Sequence, residues 1–172
     1  MKLTHCMLAI AICVSVQAVA AQGQDFSRKG QYELVKGWVT KAAAMMPEPD
    51  YSFKPTPEVR SFGELLGHIA NSTGMICTVP GGGKSPLTGD AEKLTSKAET
   101  MKALADTFAA CDRSWAAMAP AWDTETVDFF GGKQTRVDVL LFNTSHTFEH
   151  YGNVVTYMRL RGLVPPSSGG GN

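Results

Sequence analysis

Four stretches of the chain carry apolar residues at intervals of three and four positions, the spacing that lines one face of an α-helix. They cover about residues 27–46, 61–79, 96–118 and 135–161. Two long connections separate them, and prolines or glycine follow each stretch. In the third stretch the residues predicted to face inward are Met101, Leu104, Phe108, Cys111, Trp115 and Met118. In the last stretch they are Val139, Phe142, His146, Val154, Tyr157 and Leu160 or Arg161. The pattern predicts an all-α fold, a four-helix bundle.

The starts of three helices carry local signals of their own. Ser61, Ser96 and Thr135 are each followed three residues later by an acidic residue, the spacing of a capping box. Between the third and fourth helices, residues 123–134 place Phe129 and Phe130 before two glycines, which predicts a short hairpin or an irregular flap.

The first 20 residues have the pattern of a secretory signal peptide. Lys2 precedes an uncharged apolar run, and Ala18-Val19-Ala20 fits a small-x-small cleavage site. The run is too short to cross a bilayer of about 30 Å, so no membrane attachment is expected after cleavage. We therefore expect an exported protein, periplasmic or secreted, with one domain over residues 21–166 and a disordered Ser/Gly tail over 167–172.

The charge distribution of the chain argues against nucleic-acid binding. Without residues 1–20 the chain has one more acidic than basic residue, and it has no basic patch with interleaved aromatic residues. We expect no nucleic-acid partner.

Two of the four cysteines remain after cleavage, Cys77 and Cys111. A single pair in an oxidising compartment favours a disulfide, which would close a loop of about 35 residues and contribute about 3–4 kcal/mol. Two buried free thiols are the alternative. Neither cysteine has a metal-ligand partner at short spacing, so a cysteine-bound metal is less favoured.

Three of the four histidines also remain. His146 and His150 are four residues apart on the last predicted helix, with Cβ atoms about 6 Å apart on one face. Such a pair can chelate one metal ion, or it can be a hydrogen-bonded core pair, and spacing alone does not decide between them. His68, alone in the second helix, is typical of a core or boundary residue.

The choice between a metal site and core histidines rests on two segments that resemble a known family. Residues 49–70 read PDYSFKPTPEVRSFGELLGHIA, and residues 146–166 read HTFEHYGNVVTYMRLRGLVPP. Both resemble the DinB-like (DinB/YfiT) family, at its second-helix entry and at its last helix. The resemblance implies an up-down-down-up four-helix bundle, often a homodimer. It also implies a divalent metal held by three histidines, one from helix two and an H-x3-H pair from helix four, which fall on His68, His146 and His150. The parallel second and third helices of that topology support the Cys77–Cys111 disulfide.

Three neutral imidazoles leave a coordination position open, as in catalytic zinc sites. Zinc or nickel is the expected cofactor, with iron or manganese as alternatives, since imidazole suits several of these metals. Asn143, Asn153 and Glu64 are the candidates for orienting the metal ligands or a substrate, although capping already explains Glu64. The sequence offers no convincing general base.

Two hypotheses for function follow. The first is a metal-dependent hydrolase of an unidentified small molecule, acting through metal-bound water. The second is a non-catalytic metal-binding or stress-related bundle protein. Some relatives transfer low-molecular-weight thiols, but those cofactors are cytosolic, so export disfavours thiol transfer here.

Overall fold

The structure, a computed structural model, describes residues 24–170. The predicted signal peptide, residues 1–20, lies outside the described residues, as do the last two residues of the predicted tail. Within the described part of the chain, no helix is both long enough and apolar enough to cross a membrane.

All four predicted helices are present, each slightly shorter than its apolar pattern. They are α1 (Arg28–Met45), α2 (Phe62–Ile76), α3 (Lys97–Ala116) and α4 (Arg136–Leu160). Short 3₁₀ turns occupy Glu48–Ser52, Ala91–Lys93, Pro120–Asp123 and Pro166–Ser168. The helices pack as a bundle around one core, to which all four contribute buried apolar side chains. The largest of these include Tyr32, Val35, Phe62, Leu66, Ile69, Leu140, Val154 and Met158.

The cap signals place the helix starts correctly. At α2 the full capping box forms: the Ser61 hydroxyl accepts from the Glu64 amide, and the Glu64 carboxylate accepts from the Ser61 amide at 2.6 Å. At Ser96 and Thr135 the hydroxyl also caps its helix, but the acidic side chain three residues on binds that hydroxyl instead of the backbone amide. These caps fix where α2 and α4 begin, and hence which residues face the interior.

Three residues predicted to face inward are exposed instead. Phe142 is 43% exposed, Leu160 57% and Met118 38%. Phe142 lies about 200° around α4 from the buried Leu140, so the two cannot face the same core. Met118 and Leu160 lie at or beyond helix ends, where the neighbouring helices no longer cover them.

The Cys77–Cys111 disulfide is present, with Cα atoms 4.9 Å apart. Cys77 is the C-cap of α2, and Cys111 lies in the second half of α3. The bond therefore ties the end of α2 to α3, and both cysteines belong to the buried core.

A two-stranded hairpin adds a small sheet to the otherwise helical fold. Strand β1 (Thr126–Phe129) pairs antiparallel with β2 (Gly132–Thr135), with Phe129 opposite Gly132. This confirms the hairpin option for the segment before α4. The two-residue turn is Phe130-Gly131, with φ angles of 46° and 81°.

Residues after α4 return to the bundle. The Tyr151 hydroxyl donates to Ser167 Oγ at 3.0 Å and accepts from the Ser167 amide at 3.0 Å. Ser167, the first residue of the segment predicted to be disordered, thus hydrogen-bonds to α4. That the tail as a whole is disordered stays a prediction.

Candidate metal centre

Three histidines from two helices meet at one place in the bundle. His68 comes from α2, and His146 and His150 come from α4. One nitrogen from each ring can be chosen so that all three lie within 4.8 Å of one another. Ring centroids are 4.4 Å apart for His146 and His150, 4.6 Å for His68 and His150, and 5.4 Å for His68 and His146. The three imidazoles thus point at a common space, as the resemblance implied.

The α4 pair is aligned by helix geometry. His146 and His150 are one turn apart, and their Nε2 atoms approach to 3.0 Å. His150 is only 9% exposed, and its Nδ1 atom is buried without a hydrogen-bond partner among the described residues. Its Nε2 atom is therefore the nitrogen that faces the shared space.

A carboxylate orients the third ring. Glu92 Oε1 lies 2.7 Å from His68 Nδ1. An ionised carboxylate only accepts hydrogen bonds, so Nδ1 carries the proton and the lone pair resides on Nε2. This arrangement fixes the tautomer of His68 and leaves its second nitrogen free to bind a metal.

Glu92 is itself held in place. Its second oxygen, Oε2, accepts from Arg60 Nε at 2.8 Å. Partial burial favours a raised pKa for the Glu92 carboxyl, but the hydrogen bonds from Arg60 and His68 outweigh it and lower the pKa. Glu92 is therefore ionised at neutral pH, which is the form that accepts from both partners.

A glycine on α2 lets the turn that carries Glu92 approach this closely. A Cβ atom at Gly67 would lie 2.3 Å from the carbonyl oxygen of Ala91 and 2.7 Å from the amide of Glu92. Any side chain at this position would push the Ala91–Lys93 turn away from the helix. Asn71 adds to the attachment, because its Oδ1 accepts from the Ala91 amide at 2.9 Å.

The α4 histidines are held in their neutral form. Burial and the neighbouring His68 lower the pKa of His146. Burial, His146 and His68 together lower the pKa of His150 to about 4. Neutral imidazoles keep the lone pairs that metal coordination requires.

An open cavity of about 840 Å³ adjoins the triad on the side of His150. Polar and apolar side chains both form its walls, most of them from the segment before α2 and from the second half of α4. The polar ones include Lys54, Arg60, Glu64, Glu92, Asn153 and Tyr157.

Of the other three predicted site residues, two lie at the cavity and one lies in the core. Asn153 lines the cavity together with His150. Glu64 also lines it, but the Ser61 amide and then Lys54, 3.0 Å away, engage its carboxylate and lower its pKa. The buried Asn143 lies against the disulfide, with its Nδ2 atom 3.8 Å from Cys111 Sγ, so its contact is with the core.

Sequence reasoning did not identify Glu92 or Arg60. Glu92 is 24 residues from His68 along the chain, in a turn without a helical or strand pattern. The close packing at Gly67 and the hydrogen bond from the Ala91 amide to Asn71 bring the two together. Neither a single glycine nor a single asparagine inside a helix gives a specific signal for that.

The donor set of the triad fits a divalent transition metal. All three rings can present neutral nitrogen donors to one space, and a carboxylate orients one ring in the way usual for metal-bound histidine. Among residues 24–170 no acidic side chain belongs to the cluster itself, so the site suits zinc or nickel better than calcium or magnesium, which prefer oxygen ligands.

Comparison with known proteins gives the family of the chain and agrees with its fold. The model of the DinB superfamily matches residues 31–154, and the chain belongs to that superfamily. A crystal structure of a DinB-like protein from Bacillus cereus superposes with a TM-score of 0.70 at 20% sequence identity, covering 80% of this chain and 95% of that chain. At this identity the likeness concerns the fold. A comparison with curated proteins gave no significant match.

Proposed function

We propose that this protein binds one divalent metal ion, zinc or nickel, through His68, His146 and His150. The convergence of the three rings within 4.8 Å carries this proposal. The hydrogen bond from His68 to Glu92 supports it further, because a ligand ring held in one tautomer gains affinity at little entropic expense.

We propose further that the protein is a metal-dependent hydrolase of a small molecule. The cavity beside His150 supports this function, since an open space with polar and apolar walls next to a three-histidine centre has room for both water and substrate. A metal held by three neutral histidines supplies Lewis-acid chemistry: it lowers the pKa of water and polarises an acyl or phosphoryl oxygen.

The chain's own residues have separate roles in this proposal. Glu92 orients His68 and is fixed by Arg60. Asn153 offers an amide to a substrate in the cavity. The Tyr157 hydroxyl, one turn further along α4, donates to the Arg60 carbonyl at 2.6 Å and so holds the cavity wall that precedes α2. Substrate orientation therefore falls to Asn153, and ligand orientation to Glu92.

One observation favours a second candidate function, a non-catalytic metal-binding protein. All three carboxylates on the cavity wall are already engaged: Glu92 binds His68 and Arg60, Glu64 binds the Ser61 amide and Lys54, and Glu58 accepts from its own backbone amide and from Thr56. None of these three carboxylates is therefore free to act as a general base. A hydrolase with this site would need another group to accept the proton of the attacking water, whereas a storage or sensing protein needs no base at all.

Turnover assays distinguish the two functions. The protein is loaded with zinc or nickel and tested against p-nitrophenyl acetate, p-nitrophenyl phosphate and an aryl amide. A hydrolase gives turnover that a chelator removes and that His68→Ala lacks. Stoichiometric metal binding without metal-dependent turnover of any of these esters or amides would favour the non-catalytic function.

We also propose the up-down-down-up arrangement for the bundle. Contacts between helix ends support it. Lys97, at the start of α3, donates to the Ala44 and Met46 carbonyls at the end of α1. The disulfide joins the end of α2 to the second half of α3, and Tyr157, near the end of α4, binds the Arg60 carbonyl before α2. These contacts are compatible with parallel α2 and α3, both of which run antiparallel to α1 and α4.

Export to the periplasm or beyond is likewise a proposal. The disulfide supports it, because structural disulfides persist in oxidising compartments and are rare in the cytosol. Fractionation of cells with a cytosolic marker tests it: export predicts shortened protein, cut near Ala20, in the periplasmic or extracellular fraction. Full-length protein confined to the cytosol would contradict it.

A further inference from the structure

Three phenylalanines form an exposed cluster where the hairpin meets α4. Phe129 and Phe130 come from the hairpin, and Phe142 comes from α4. Their ring centroids lie 4.3 Å apart for Phe129 and Phe130, 5.4 Å for Phe129 and Phe142, and 6.0 Å for Phe130 and Phe142. We refer to these three residues as the hairpin aromatic cluster.

Two of these rings are exposed to solvent. Phe130 is 71% exposed and Phe142 is 43% exposed. Exposed rings of this size contribute little to folding, because much of their apolar area is never removed from water. The cluster therefore stabilises the fold less than three phenylalanines in the core would.

Phe130 also has an unfavourable backbone conformation. Its φ of 46° is the one positive φ angle of a non-glycine residue among residues 24–170. It is the first of the two central turn residues, a position that asparagine, aspartate or glycine fills with less strain. An exposed aromatic ring at a strained position favours a role outside folding.

The cluster is continuous with the histidine triad. The Phe142 ring stacks on the His146 ring with centroids 6.2 Å apart and an interplanar angle of 15°. His146 thus touches the hairpin aromatic cluster, while His150 lines the open cavity. Along α4 the triad therefore lies between the aromatic cluster and the cavity.

We propose that the hairpin aromatic cluster binds the aromatic group of a small-molecule ligand whose oxygen coordinates the metal at the triad. This inference rests on the proposed metal site. Phenylalanine rings offer faces and edges to another ring without any polar competition, and each aromatic pair adds affinity beyond the buried area. The stacking distance from Phe142 to His146 limits the ligand to one whose aromatic ring is close to its coordinating oxygen, as in an aryl ester or aryl carboxylate.

Two hydroxamates test this assignment. Benzohydroxamate and acetohydroxamate carry the same metal-coordinating group and differ in having a phenyl ring or a methyl group. Isothermal titration of each into zinc-loaded protein gives the ratio of the two dissociation constants. The proposal predicts tighter binding of benzohydroxamate, and a ratio that falls about fivefold in Phe130→Asn, with acetohydroxamate affinity unchanged.

The same variant separates binding from folding. Asparagine tolerates the positive φ, so Phe130→Asn should unfold at a temperature about 2 °C higher than the wild type while binding benzohydroxamate less tightly. Phe26→Asn removes another exposed phenylalanine, 69% exposed and placed before α1, and should leave the hydroxamate ratio unchanged.

Each other outcome overturns the proposal. An unchanged ratio in Phe130→Asn shows that the ring does not contact the ligand, and a change of oligomeric state with an unchanged ratio would assign the cluster to contact between copies of the chain. Equal wild-type affinity for both hydroxamates overturns the aromatic assignment but leaves the metal site standing. A wild type that binds no zinc overturns both.

Discussion

Replacing Glu92 isolates the contribution of its hydrogen bond to metal binding. In Glu92→Gln the amide can accept from His68 through its oxygen only if its NH₂ group faces the Arg60 Nε–H, which is also a donor. One of the two contacts, at 2.7 Å and 2.8 Å in the wild type, is therefore lost. The tautomer of His68 is then no longer fixed, because the amide can face Nδ1 with either its oxygen or its NH₂ group.

The expected loss is large enough to measure. Removing a partner that orients a metal-bound histidine weakens metal binding by about 10- to 100-fold, or about 1.4–2.8 kcal/mol. Glu92→Gln retains the shape of the side chain and should lie near the lower value, and Glu92→Ala near the upper one. The fold should remain, because the side chain of Glu92 is 28% exposed and outside the apolar core.

Competition with a chromophoric chelator, for zinc and for nickel, measures these affinities. Glu64→Gln is the matched control: it changes another carboxylate on the same cavity wall, which binds the Ser61 amide and Lys54 instead of a histidine. Because glutamine can also accept from the Ser61 amide, it keeps the capping box and should leave both the unfolding free energy and the metal affinity nearly unchanged. Equal metal affinity in wild type, Glu92→Gln and Glu92→Ala would refute the role assigned to Glu92.

Three further predictions concern packing, the disulfide and pH. Gly67→Ala should destabilise the protein by about 2 kcal/mol in urea unfolding and weaken metal binding, because its methyl group would displace Ala91; unchanged values would contradict the close approach. Cys77→Ser with Cys111→Ser should lower the unfolding free energy by about 3 kcal/mol, whereas no change would show that the bond leaves stability unaffected. His150 has a folded-state pKa of about 4, below its unfolded value, so the unfolded chain binds more protons between these values. Metal-free protein should therefore lose on the order of 1 kcal/mol as pH falls from about 7 to 5, after allowance for solvent screening. His150→Asn should reduce this slope in urea titrations and leave the part due to the lowered pKa of His146; an equal slope in both proteins would contradict it.

The helices could be predicted because their signals are local. Apolar spacing of three and four residues and the cap at Ser61 both act within one or two turns, and both placed α2 correctly. The same local rule failed for Phe142, since the row that faces the core depends on where the other three helices lie. Phe142 instead contacts Phe129 of the hairpin, and this contact joins residues from different elements.

The histidines could be found from a family resemblance, but their surroundings could not. His146 and His150 share a helix face by spacing, and His68 joins them through the fold. Glu92 is positioned by the contact of Ala91 with Gly67, a packing relation between distant residues that periodicity does not encode. Asn143 lies on the same helix as the two histidines, yet its amide contacts the disulfide, because side-chain direction depends on the packing around it.

Metal content tests the central claim most directly. Untagged protein, purified without chelators, is analysed by inductively coupled plasma mass spectrometry beside His68→Ala, His150→Ala and the control Glu64→Gln. We predict about one zinc or nickel ion per chain in the wild type and in the control, and loss of the metal in both histidine variants. A wild type without metal, which also gains no thermal stability from added zinc or nickel, would contradict the three-histidine centre.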